Sequence, residues 1–239
     1  MDPYVYSNTN ILINKLNIKD EKELIDVEAQ LIIAGILDIT SIFAEINFQE
    51  YRSLQKIHHF LFHELYSWAG EFRTINIYKT ERVLNGLSVD YSNEDQITSD
   101  LKAIFSWANS KLWNYSNPQL AEDFSTLMTN LWRVHPYREG NTRTLSIFMK
   151  LFAEANNLGF NAQLLSQHAG YLRNALVLAA VEEASEPQYL LKMITDALNL
   201  DTLNMVQLGD EESSNYQVIG QYDVSKYEEK PFKTDFDTK

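Results

Sequence analysis

Apolar residues return every three or four positions along most of the chain, the spacing of helices with one buried face. A first stretch, residues 20–38, is apolar over a broad face and opens on the charged residues Asp20, Glu21 and Lys22. Phe48, Tyr51, Leu54, Ile57, Leu61, Leu65 and Trp68 form a second stripe, with Asn47 as N-cap and Glu50 three residues later. Ser92 and Asp95 repeat that capping pattern ahead of Ile97, Leu101, Ile104 and Phe105. Asn117 followed by Pro118 reads as a cap with proline at the helix start, leading into Phe124, Leu127, Met128 and Leu131. Further helices are expected over 143–157, stopped by Gly159, over 169–183 and over 185–198. One segment breaks the pattern. Thr74, Ile75, Ile77 and Tyr78, then Val83, Val89 and Tyr91, flank Asn85-Gly86, a strong hairpin signal. A lone hairpin is marginal in water, and its free edge is a liability unless something binds there. The expected fold is all-α in the main, with one small β-hairpin over 74–91.

Composition agrees. Eight glycines and five prolines in 239 residues lie well below the usual levels of about 7% and 5%, so few residues interrupt helices. Cysteine is absent, which removes disulfides, thiolate metal sites and cysteine nucleophiles. A formal net charge of −13 repels phosphate backbones, so no nucleic-acid partner is expected. The N-terminal segment has no basic region ahead of an apolar stretch, and no uninterrupted apolar run approaches a membrane span of about 20 residues. A cytoplasmic chain without membrane attachment is expected. Residues 201–239 carry nine acids and four lysines and few aliphatics. Residues 199–239 therefore read as an acidic appendage to a domain over 1–198.

The chemistry concentrates between two helices, at His135-Pro-Tyr-Arg-Glu-Gly-Asn-Thr-Arg143. Pro136 forces extended chain after the first helix, and Gly140-Asn141-Thr142 opens the next. A helix opening presents free N–H groups and positive partial charge, a place for phosphate. Arg143 adds a charge-assisted contact. Glu139 beside an anion site is counterproductive unless a divalent cation lies between, as carboxylate and phosphate oxygens hold magnesium. His135 suits a general base. Together they point to phosphoryl or nucleotidyl transfer, although the same residues also compose an ordinary capped helix start.

The stretch resembles the signature of the Fic (Fic/Doc) family, His-x-Phe-x-(Asp/Glu)-Gly-Asn-Gly-Arg-x-x-Arg. Here it reads His135, Tyr137, Glu139, Gly140, Asn141, Thr142 and Arg143, with Ser146 in last place. Tyr4-Val-Tyr6, Leu12-Ile-Asn-Lys-Leu16 and Leu61-Phe-His-Glu-Leu-Tyr-Ser-Trp-Ala-Gly-Glu-Phe-Arg73 resemble the family's flanking segments, so the likeness covers residues 4–196. It implies a Fic-type helical bundle and a protein adenylyltransferase, moving AMP from ATP to a Ser, Thr or Tyr hydroxyl of a target protein. His135 would deprotonate that hydroxyl, and Glu139 would hold Mg2+ against the α- and β-phosphates. Gly140, Asn141 and Thr142 would form the anion hole, and Arg143 would hold the β-phosphate. The 74–91 hairpin would be the flap on which the target docks, with Lys79 and Thr80 near the nucleotide.

Two positions depart from the signature. Thr142 replaces its second glycine, which reshapes the place where backbone meets phosphate. Ser146 replaces its second arginine, which in the family contacts the γ-phosphate and pairs with an inhibitory glutamate. The Doc branch also lacks the second glycine and transfers phosphate, so transfer of phosphate or of another nucleotide is the alternative. A catalytically weakened Fic-fold binding module is the other. Of the nineteen glutamates only Glu139 precedes Gly or Asn, so no self-inhibiting helix of the family's type is legible. A separate small antitoxin-type inhibitor is expected, or inhibition lost with its arginine. His59 and His63, four apart, read as part of an apolar-faced helix, His168 as a helix-start residue, and the four tryptophans as core.

Overall fold

Asp20 opens the first helix as its sequence position suggests. Its carboxylate accepts from the Glu23 N–H at 2.8 Å, and α1 runs Glu21–Asp38. The computed structural model describes residues 2–198 and 233–234. Within them follow a 3-10 segment Ile39–Glu45 and the helices α2 (Arg52–Phe62), α3 (Ile97–Asn109), α4 (Leu120–Val134), α5 (Asn141–Ala155), α6 (Ala162–Gln167), α7 (Ala169–Ala180) and α8 (Gln188–Ala197). The expected helical fold is what forms. Helix α4 is the axis, packed against α3, α5, α7 and α8. Its Phe124, Leu127, Met128, Leu131 and Trp132 are buried, each apolar side chain contributing about 1.5–3 kcal/mol. Helix α7 is buried over nearly its whole length, and α2 lies between α1 and α5.

Several boundaries differ from the sequence expectation. The second stripe is helical only over Arg52–Phe62. Leu65 and Trp68 are buried beyond the helix end, where the Leu65 carbonyl accepts from Lys15 N–H at 2.8 Å. Asn47 and Glu50 close a turn before α2 through a 3.1 Å side-chain bond. Ser92 donates to Asp100 Oδ2 at 2.6 Å rather than capping α3. Chain reversal after α5 falls at Asn157, φ 56°, and not at Gly159. Helix α6 was not foreseen.

The hairpin is the main correction. Among the described residues only Ile77–Tyr78 (β1) is strand in the 74–91 segment. Asn85 and Gly86 do adopt left-handed conformations, φ 54° and 93°, but they turn a tight loop. Glu81 N–H donates to the Leu87 carbonyl and Gly86 N–H to the Glu81 carbonyl, both at 2.9 Å. Val89 and the Glu81 side chain are drawn into the interior, so the return strand does not form. The edge of β1 pairs instead with β2 (Lys233–Thr234), antiparallel, Ile77 opposite Thr234 and Tyr78 opposite Lys233. The rest of the acidic appendage, 199–239, lies outside the described residues.

Helix α1 also changes one expectation. Residues 21–45 are long and apolar enough, by length and composition alone, to cross a membrane. Ile25, Ile33 and Leu37 are exposed on it, while Leu24, Ile32 and Ile39 are core. Its Glu28 reaches the functional site described next.

Candidate active site

His135 ends α4 in a left-handed conformation, φ 48° and ψ 57°. That conformation is held by Arg73. Its Nε donates to the His135 carbonyl at 2.9 Å, and its Nη atoms donate to Val134, Ile75 and Ser92 carbonyls. A buried guanidinium thus satisfies carbonyls left open at a helix C-terminus and complements its negative dipole end. The His135 ring is buried between Tyr91, 4.2 Å between centroids, and Trp132, perpendicular to it at 5.2 Å. Its Nδ1 lies 3.2 Å from the Trp132 carbonyl. A carbonyl only accepts, so Nδ1 carries the proton and Nε2 the lone pair. Burial, then the charges of Arg173, Lys79 and Arg73, hold the ring well below the ordinary histidine value. It is neutral and able to take a proton at physiological pH.

The loop after it is braced from inside. Asn141 Oδ1 accepts from Tyr137 N–H at 2.9 Å and its Nδ2 donates to the Tyr137 carbonyl at 2.8 Å. Arg138, fully buried, grips Asp2 Oδ2 at 2.9 and 3.1 Å. His58 on α2 accepts from Gly70 N–H at 2.8 Å, so its Nε2–H donates to the Glu139 carbonyl at 3.1 Å. It is stacked on Tyr137 at 3.8 Å, and burial lowers its pKa to about 3. Gly140 precedes α5 at φ 79°, and a Cβ there would stand 2.3 Å from Phe62 Cζ. Thr142 turns its hydroxyl to accept from the Trp132 indole N–H at 3.0 Å. This fixes the side chain that replaces the signature glycine.

Lys79, His135, Glu139, Gly140, Asn141, Thr142, Arg143 and Arg173 surround one small cavity. Seven of these eight are residues singled out in the sequence. Thr80 is exposed and does not join them, and Ser146 is half-buried on α5 away from the cavity. Glu139 Oε1 accepts from Gly140 N–H at 2.8 Å and from Arg143 Nη2 at 3.1 Å. Arg143 Nη1 meets Glu28 Oε1 at 2.6 Å, and Glu28 Oε2 accepts from the Tyr66 hydroxyl at 2.5 Å. His59 bonds to the Ala69 carbonyl, and His63 to backbone carbonyls and to Glu64. Sequence reading missed His58, Glu28, Arg73, Glu81 and Arg173. His58 alone carried a local signal, a polar residue on the buried stripe of α2.

A neutral imidazole, a helix N-terminus and several cations thus surround one cavity in a helical bundle. Comparison with known proteins adds a domain match. Residues 48–153 match the Fic/DOC family. The chain is 28% identical over 170 residues to "Probable protein adenylyltransferase y4lH" of Sinorhizobium fredii, covering 71% of this chain and 78% of that one. It is 30% identical over 150 residues to protein adenylyltransferase VbhT of Bartonella schoenbuchensis, covering 62% of this chain and 30% of that one. A BepC structure with bound AMPPNP from Bartonella tribocorum shares the fold, with TM-score 0.66 and 24% identity over 81% of this chain and 95% of that one. Residues 48–153 thus carry a Fic/DOC domain, and the relatives named here are protein adenylyltransferases by name. It spans less than a third of VbhT's length.

Proposed function

We propose that the chain is a protein adenylyltransferase that moves AMP from ATP to a Ser, Thr or Tyr hydroxyl of a target protein. The observation that carries this is His135, a neutral imidazole with its Nδ1 proton tied to the Trp132 carbonyl, on the same cavity as the opening of α5. With Nε2 as the base, it removes the target hydroxyl's proton as that oxygen attacks the α-phosphorus and pyrophosphate leaves. The backbone N–H groups of the Gly140–Thr142 opening, with Lys79 and Arg143, balance phosphate charge. The BepC structure with bound AMPPNP supports nucleotide as the ligand class.

The carboxylate of Glu139 is half-committed, since the hydrogen bonds it receives go to Oε1. The second oxygen fits a magnesium ion held jointly with phosphate oxygens. Such an ion, when bound, supplies charge neutralisation on the phosphates, and Glu139 is the residue that holds it. The target docks on β1 by strand addition, a reading supported by the strand that β1 already accepts at Lys233–Thr234. No inhibitory-helix pattern accompanies the site, so restraint by a separate small protein is part of the proposal, as is a cytoplasmic location.

The test supplies ATP labelled at the α- or the γ-phosphate with a target lysate, comparing wild type with His135→Ala. Label on protein from the α-position only, absent in the variant, is expected. Thr142 in the second-glycine position favours one competing reading, phosphate transfer, which γ-label on protein establishes instead.

A further inference from the structure

Arg173 is a cation that no part of the signature explains. It projects from α7, thirty residues beyond Arg143, into the same cavity, with only 6% of its surface exposed. Its Nη2 meets Glu81 Oε1 at 2.5 Å, and its Nε makes no hydrogen bond. The guanidinium lies over the Trp132 ring, 5.0 Å to the centroid, and His135 packs perpendicular to that same ring at 5.2 Å. A guanidinium offers five donors in a planar fork suited to phosphate oxygens. Burying an ion pair without filling that fork is an expensive way to stabilise a fold. Arg143 is tied to Glu28 and Glu139, whereas Arg173 stands beside the base and is tied to the loop that follows β1.

We propose that Arg173 binds the donor phosphate next to His135, and that Glu81 occupies its guanidinium until that phosphate arrives. The exchange swaps one oxyanion for another at the same fork. The cavity is about 30 Å3, room for a water molecule or so, so a phosphate enters by displacing the Glu81 carboxylate. The inference rests on the nucleotide reading above and deepens it.

The test is calorimetry of the full chain with adenosine, AMP and ATP in the presence of Mg2+, on wild type, Arg173→Gln, Arg173→Lys and Glu81→Gln. Arg173→Gln is expected to weaken AMP and ATP by about ten- to a hundredfold, the effect of one charge-assisted bond, and to leave adenosine unchanged. Arg173→Lys restores part of the loss. Glu81→Gln, which keeps the shape and removes the competing charge, tightens AMP and ATP, and carries the test alone should Arg173→Gln not fold. Equal weakening of adenosine and AMP marks Arg173 as structural and overturns the proposal. So does weakening of ATP with AMP unchanged, which places the guanidinium at another phosphate. AMP affinity unchanged or lowered in Glu81→Gln overturns it too. Wild type that binds no nucleotide defeats the nucleotide reading as well, whereas wild type that binds with all variants unchanged defeats only the role of Arg173.

Discussion

Replacing Gly140 with alanine is the sharpest way to ask whether the catalytic loop is held by the helix beneath it. The backbone there has φ 79°, a conformation that costs an L-residue about 1–2 kcal/mol. The added methyl would also lie 2.3 Å from Phe62 Cζ and 2.5 Å from Cε2. Phe62 is fully buried, stacked on His58 with centroids 4.6 Å apart, so its ring has no open direction to retreat. Overpacking of this kind adds about 1–3 kcal/mol, giving a total near 2–5 kcal/mol against the 5–15 typical of a domain. The Arg143 guanidinium sits over the same ring, Cζ 5.2 Å from its centroid. Displacing the ring therefore moves a proposed phosphate contact, and nucleotide affinity should fall together with stability. Urea unfolding and nucleotide calorimetry of Gly140→Ala measure both. Phe62→Leu in the same chain should recover the steric share, so that the double variant is more stable than the sum of the singles by at least about 1 kcal/mol. A loss below about 1 kcal/mol, or strict additivity, would refute the interlock.

Four further outcomes follow from the site. Because His135 is held well below 6.5, transfer should stay constant as pH falls from 8 through 6.5, and a half-loss near 6.5 that belongs to His135 would contradict the buried neutral base. His58, lowered to about 3, is neutral in the fold while the unfolded chain takes up a proton below 6.5. Stability should then fall with acid by up to about 1.4 kcal/mol per pH unit for this group; urea midpoints near pH 7 and pH 5 should diverge less in His58→Gln, and equal divergence counts against it. Glu28 joins Arg143 to Tyr66, so Glu28→Ala and Tyr66→Phe should couple by about 0.5–3 kcal/mol in a double-mutant cycle, and zero coupling rejects the link. Glu139→Ala should abolish the magnesium dependence of nucleotide binding, and a metal titration like that of wild type would exclude Glu139 as the ligand.

What the amino-acid order determined alone is whatever neighbours in the chain decide. The stripes of α1, α4 and α7, the cap at Asp20 and the loop from His135 into α5 depend on spacings of a few residues. The signature residues that line the cavity were legible for the same reason, since a helix opening places consecutive side chains together. The tertiary structure alone decided what braces that loop. Asp2 meets Arg138 across 136 positions, Glu81 meets Arg173 across 92, and Arg73 meets the His135 carbonyl across 62. Each pairs a buried charge with a partner that no local pattern marks, because desolvation selects the partner only after the helices have packed. The hairpin failed for the same physical reason. Asn85-Gly86 could turn the chain, but burying Glu81 against Arg173 and Val89 in the core outcompeted a ladder of exposed backbone bonds.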